Sequence, residues 1–172
     1  KKPAELNFGI DLDDYLICDW MRNNSFNLEN FKLQQANFID WMNGYFLSFR
    51  HLYKPSEILI YCDPPYLQNV RKSKSKIYRC EFMSESEHLD LLGQLKSLNC
   101  NVMISGYDSD LYNQELSNWR KETFNTTNRA GQRTTEIVWL NFPEPLELHD
   151  YKFLGENFRE RERIKRKRER WK

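Results

Sequence analysis

Four consecutive residues, Asp63-Pro64-Pro65-Tyr66, combine a carboxylate, a stretch of backbone without N–H groups and an aromatic ring. Each proline fixes its own φ and pushes the residue before it toward an extended conformation. Asp63 and the Pro64 carbonyl therefore stand as two acceptors aimed at one place. Such a pair holds an –NH2 group by both hydrogens and leaves its lone pair directed away, toward an electrophile. Tyr66 adds a ring able to stack on a planar base. The set suits transfer of a group onto the exocyclic amine of a nucleobase. The plainer alternative is a Pro-Pro strand stop beside a solvated Asp. An apolar strand before the motif, a tyrosine within it and a basic loop after it favour chemistry.

The elements around the motif must hold it. Glu57–Tyr61, with Ile58-Leu59-Ile60 at its centre, reads as a buried strand that stops at Pro64. Ligand chemistry in open α/β sheets gathers at that carboxyl end. The loop Gln68–Arg79 carries Arg71, Lys72, Lys74, Lys76 and Arg79 among Ser73, Ser75 and Tyr78. Cations spaced by small hydroxyl residues suit phosphate contacts, which position without reading sequence; a solvated loop is the alternative. Ser84-Glu85-Ser86-Glu87 predicts a capping box, followed by a helix whose stripe of His88, Leu91, Leu92, Leu95 and Leu98 is core. His88 reads as a packed edge residue of that stripe. Asn101–Ile104 predicts a second buried strand, ending at Ser105-Gly106-Tyr107-Asp108, a candidate wall of the same pocket. A capped helix over Ser109–Trp119 follows. Lys121–Thr127 and Thr134–Leu140 then alternate as an antiparallel hairpin about Asn128-Arg129-Ala130-Gly131-Gln132.

Upstream, Asp11–Arg22 has helical spacing with Asp11 as cap, Phe31–Ala36 alternates as a short strand, and Phe38–His51 predicts an aromatic helix despite Gly44. Downstream, Pro143 and Pro145 end the compact domain. Asn157–Lys172 is a basic run compatible with a helix, solvated or bound to nucleic-acid phosphate.

Ile60-Tyr61-Cys62-Asp63-Pro64-Pro65-Tyr66-Leu67 resembles the catalytic motif and strand of the DNA adenine methylase (Dam-like) family of amino-methyltransferases. Ile104–Asp108 and Arg133–Trp139 resemble the family's later segments in the same order, so the likeness runs from about Phe31 to Phe142. The resemblance implies a Rossmann-like α/β fold with a terminal antiparallel hairpin and S-adenosylmethionine as methyl donor. It implies double-stranded DNA as partner, with the target adenine flipped from the duplex. Asp63, Pro64, Pro65 and Tyr66 would be catalytic, and Asp63 and Asn37 would also meet the cofactor. Asn37 stands where the family commonly has an acidic residue, and an Asn capping the next helix is the equal alternative. Arg71, Lys72, Lys74, Lys76 and Arg79 would lie along the DNA. Asn128 and Arg129 at the hairpin tip would touch the target strand, although turn chemistry explains that tip as well.

The family's Phe-x-Gly-x-Gly turn is not found: Gly9, Gly44, Gly93, Gly106, Gly131 and Gly155 never fall two apart. The strand carrying that turn and the one outside it are then expected to be absent, leaving nothing to link Phe31–Ala36 to Glu57–Tyr61. The expectation is an amino-terminally incomplete enzyme whose cofactor loop belongs to a missing amino-terminal half. Residues 1–30 would be a remnant of an upstream, target-recognition segment, 31–145 the catalytic portion and 146–172 the basic helical tail. A nucleic-acid-binding module without catalysis is the rival reading, and methylation of cytosine amine or of RNA shares the chemistry.

Composition adds bounds. The 172 residues have room for one domain and, at 15% aromatic, for a sizeable core. The net charge of +1 hides a split: Arg159–Lys172 carries nine Lys/Arg and three Glu, a net of +6, which leaves the remainder near −5. Nothing resembles a membrane span or signal peptide. Cys18, Cys62, Cys80 and Cys100 lie far apart without neighbouring His, as expected of reduced thiols in a cytoplasmic protein with no metal site.

Overall fold

The computed structural model describes residues 7–11, 13, 15, 17–19, 31–70, 84–127, 131–144, 154–155 and 157–170. The chain forms two compact units, one of Leu6–Pro143 and one of Lys1–Glu5 with Glu144–Lys172.

The described residues of Leu6–Pro143 form two sheets. In the smaller, β1 (Asn7–Asp11) and β2 (Phe31–Gln35) are parallel, with Gly9 opposite Leu33. β1 is not among the elements expected from the sequence. Its formation corrects the assignment of Asp11 as a helix cap. Asp11 closes the strand, its carbonyl accepting from Ala36 N–H at 3.0 Å. Its carboxylate accepts from Asp13 N–H at 2.8 Å, and the Asp13 carboxylate accepts in turn from Tyr15 N–H at 3.0 Å. Asp13 is thus the residue that starts the next turn, and of the expected helix residues 15 and 17–19 are helical.

The larger sheet comprises β3 (Leu59–Cys62), β4 (Asn101–Gly106), β5 (Arg120–Thr127) and β6 (Arg133–Leu140), in the spatial order β3-β4-β6-β5. β3 and β4 are parallel; β6 is antiparallel to β4 and to β5. This is the expected succession of two parallel strands and a hairpin. The first strand begins later than expected, because Pro55–Glu57 forms a 3-10 turn. Proline starts that turn readily, and the Glu57 carboxylate accepts from Lys54 N–H at 2.9 Å.

Between the two sheets in sequence lies a helical segment of changing pitch: α1 (Phe38–Trp41), a π turn (Met42–Phe46), α2 (Leu47–Phe49) and a 3-10 turn (Arg50–Leu52). Trp41, Met42 and Phe46 are buried and form one cluster with Phe8 and Ile10 of β1 and with Ile58 and Ile60 beside and within β3. The aromatic residues that made this segment look helical thus join the small sheet to the start of the large one.

α3 (Glu85–Ser97) begins as expected: Ser84 Oγ accepts from Glu87 N–H at 3.3 Å, and the Glu87 carboxylate accepts from Ser84 N–H at 3.0 Å. Its buried stripe of His88, Leu91, Leu92 and Leu95 packs in one core with Val102, Ile104, Ile137 and Trp139. Each fully buried leucine contributes about 1.5–3 kcal/mol relative to exposure. His88 lies within this core rather than at its edge, only 1% exposed, with Nδ1 2.9 Å from the Tyr112 hydroxyl. α4 (Asp110–Glu115) is shorter than expected but starts where expected, with Ser109 Oγ accepting from Tyr112 N–H. α5 (Phe158–Glu169) forms within the basic run and belongs to the other unit.

Candidate active site

The Asp63-Pro64-Pro65-Tyr66 turn leaves the carboxyl end of β3. Pro64 and Leu67 are buried, so the turn is anchored through them, and Leu67 sits in the main core. Asp63, immediately before this anchored stretch, remains exposed. The side chain is therefore presented to solvent from a backbone with little freedom.

Parallel pairing supplies the next contact. Cys62 is registered with Ile104, so the residues that follow each, Asp63 and Ser105, come side by side. Ser105 Oγ donates to Asp63 Oδ1 at 2.7 Å. The Cys62 carbonyl, at 3.5 Å, is a poor competitor for that single proton. A carboxylate can only accept, so the Tyr61 hydroxyl, 3.1 Å from the same Oγ, donates to it. The result is a directed chain from Tyr61 through Ser105 to one oxygen of Asp63. Ser105 is 3% exposed while Tyr61 is 58% exposed, so the chain runs from solvent through a buried hydroxyl to the carboxylate.

Tyr66 meets Tyr107, which follows β4. Their ring centroids are 4.5 Å apart at 65°, an edge-to-face contact. Burial first, then the carboxylates of Asp63 and Glu136, hold the Tyr66 phenol well above its usual range, so it remains a neutral donor. The Cys62 thiol is pushed up to about 12 by burial and by Asp63, which removes it as a nucleophile at ordinary pH.

Of the second strand-end turn, Ser105 and Tyr107 contribute to this site. Asp108 faces elsewhere: it accepts from Asn113 Nδ2 at 2.7 Å and Lys121 Nζ at 2.9 Å, bonds that hold its carboxyl below the usual range. Gly106 between Ser105 and Tyr107 packs closely on the Trp139 ring, which would have to shift by a few tenths of an ångström to admit a Cβ placed 3.3 Å away. From sequence, Ser105 and Tyr107 belong only to a general pocket wall, with no individual role. Their place at the end of a neighbouring strand was the available signal, and the register turns it into a contact.

Asn37 caps α1, its Oδ1 accepting from Ile39 N–H at 2.9 Å and Asp40 N–H at 3.4 Å. The capping alternative therefore holds, and the side-chain amide NH2 is what Asn37 has left to offer a ligand. Arg71, Lys72, Lys74, Lys76 and Arg79, like Asn128 and Arg129, lie outside the described residues. Among the described residues no group of three or more His, Cys, Asp or Glu could hold a metal ion, and no helix is long and apolar enough to cross a membrane.

The chain matches no curated protein. A family model described as D12 class N6 adenine-specific DNA methyltransferase matches residues 7–135, which include β1 through the turn at Asp63 and the start of β6.

Proposed function

Given that the chain belongs to the D12 class N6 adenine-specific DNA methyltransferases, we propose that Asp63-Pro64-Pro65-Tyr66 is its methyl-transfer site, acting on the amino group of an adenine flipped out of double-stranded DNA. The observation that carries this is the bond from Ser105 to one oxygen of an exposed Asp63 on a proline-fixed turn. One carboxylate oxygen is tied to the protein, and the other is left to a substrate.

Asp63 and the Pro64 carbonyl accept the two hydrogens of the adenine amino group. This fixes the nitrogen and directs its lone pair away from both acceptors. Tyr66, braced edge-on by Tyr107, stacks on the base. The carboxylate faces the positive charge that grows on the nitrogen, so the acceptors bind the transition state more strongly than the neutral amine. Positioning supplies the remainder.

S-adenosylmethionine is the methyl donor of this reading; when bound it supplies a methyl group on a positively charged sulfur. The residues present suit that charge, with an exposed carboxylate beside two tyrosine rings. A glycine-lined cradle for the rest of the cofactor, we infer, comes from a separate segment in a Rossmann-like whole. Supporting this, no two glycines of the chain fall two apart. β2 and β3 lie in different sheets, and β3 ends the order of its own sheet, with Leu59 and Tyr61 each 58% exposed.

The test is Asp63→Ala in the protein carrying its cofactor segment, assayed for transfer of labelled methyl to duplex DNA. Loss of one preorganised electrostatic partner lowers kcat by roughly 100-fold or more. Unchanged transfer would remove Asp63 from the mechanism.

A further inference from the structure

α5 carries one continuous row of cations along its length. Arg159, Arg163, Arg166 and Arg170 recur at intervals of four, three and four, and with Lys167 they border one surface concavity. At helical rise the stripe extends ~16 Å along the axis. Like charges four apart destabilise a helix, and three such pairs stand within this row: Arg159 with Arg163, Arg163 with Lys167, and Arg166 with Arg170, while Glu162, four before Arg166, offsets part of the cost. Glu160 approaches Arg163 at 3.4 Å, a contact of the exposed and therefore weak kind. A polyanion lying along this row would relieve that repulsion.

The family acts on DNA, yet outside Arg159–Lys172 the chain carries a net charge near −5. Attraction to DNA must then come from local patches. A duplex presents a charge every ~1.7 Å of its axis, so a stripe of this length runs beside several phosphates. Guanidinium groups suit them, since each can offer two parallel N–H donors to a phosphate.

We propose that Arg159, Arg163, Arg166, Lys167 and Arg170 form a binding surface for the phosphate backbone of double-stranded DNA, outside the segment that the family model matches. The surface adds affinity and leaves sequence choice to other residues. It rests on the family's DNA substrate and not on the role given to Asp63.

The experiment is fluorescence anisotropy of the full chain with a mixed-sequence 30-base-pair DNA duplex over a salt series. Wild type is compared with R159Q/R163Q/R166Q/R170Q and with the corresponding fourfold Lys variant. Glutamine and lysine are both good helix formers, so α5 should persist, as circular dichroism would verify. The slope of log K against log salt should become shallower by about 3.6 in the Gln variant, following ~0.9 for each of the four phosphates left without its cation, and should return toward wild type in the Lys variant. An unchanged slope in the Gln variant overturns the proposal. So does binding to phosphatidylcholine–phosphatidylserine vesicles, likewise abolished in the Gln variant, that the duplex cannot displace.

Discussion

Ser105 decides how Asp63 is presented. Its hydroxyl gives its only proton to Oδ1, and that bond fixes the carboxylate plane. Ser105→Ala should leave the KM for DNA near wild type and lower kcat by roughly 10-fold, near the value of one charge-assisted hydrogen bond. Ser105→Thr restores the hydroxyl and should recover most of the activity, a rescue not expected if Ser105 only filled space. Equal kcat in all three proteins would dismiss the positioning role. For Tyr66→Ala, transfer should fall further than duplex affinity; equal decreases in steady-state and binding assays would argue against stacking on the flipped base. The carboxylate, prolines and tyrosine of the proposed site can be singled out in sequence because their chemistry is local and contiguous. The individual roles of Ser105 and Tyr107 cannot, because they depend on which residue of β4 stands beside the end of β3.

Elements with local signals were also legible. The Ser84–Glu87 box, the leucines of α3 and the alternation of β5 and β6 each encode their own shape within a few residues. β1 escaped because Asn7–Asp11 is short, contains Gly9 and becomes a strand only by pairing with β2, about twenty residues away. The π turn was equally hidden, since its aromatic residues fit any helical pitch. α3 contains a testable excess of freedom. Gly93 lies exposed in its interior, and a Cβ there meets nothing within 4 Å. Gly93→Ala should therefore stabilise the fold by ~1 kcal/mol, seen as a higher urea midpoint at unchanged m-value. A lower midpoint would show a conflict that the local geometry does not contain.

Across the whole molecule, acid stability should depend on His88. Burial lowers its pKa below the usual 6.5, with Glu87 opposing. The unfolded chain therefore takes up the proton first. Stability is fully present above pH 6.5 and declines as pH falls from there toward the folded pKa, by at most about 1.4 kcal/mol per pH unit. Urea midpoints at about pH 7.5 and 5.5 should show this decline in wild type and a smaller one in His88→Gln. An identical decline in both would assign it to other groups.

The pairing of β3 with β4 has a consequence for how such a chain can vary. Successive strand residues point to opposite faces, so Ser105 shares its face with Met103 and opposes Ile104 and Gly106. Inserting or deleting one codon within Asn101–Gly106 would bring a residue with no hydroxyl beside Asp63 and turn a core side chain outward. Descendant sequences should therefore show almost no gaps within β4.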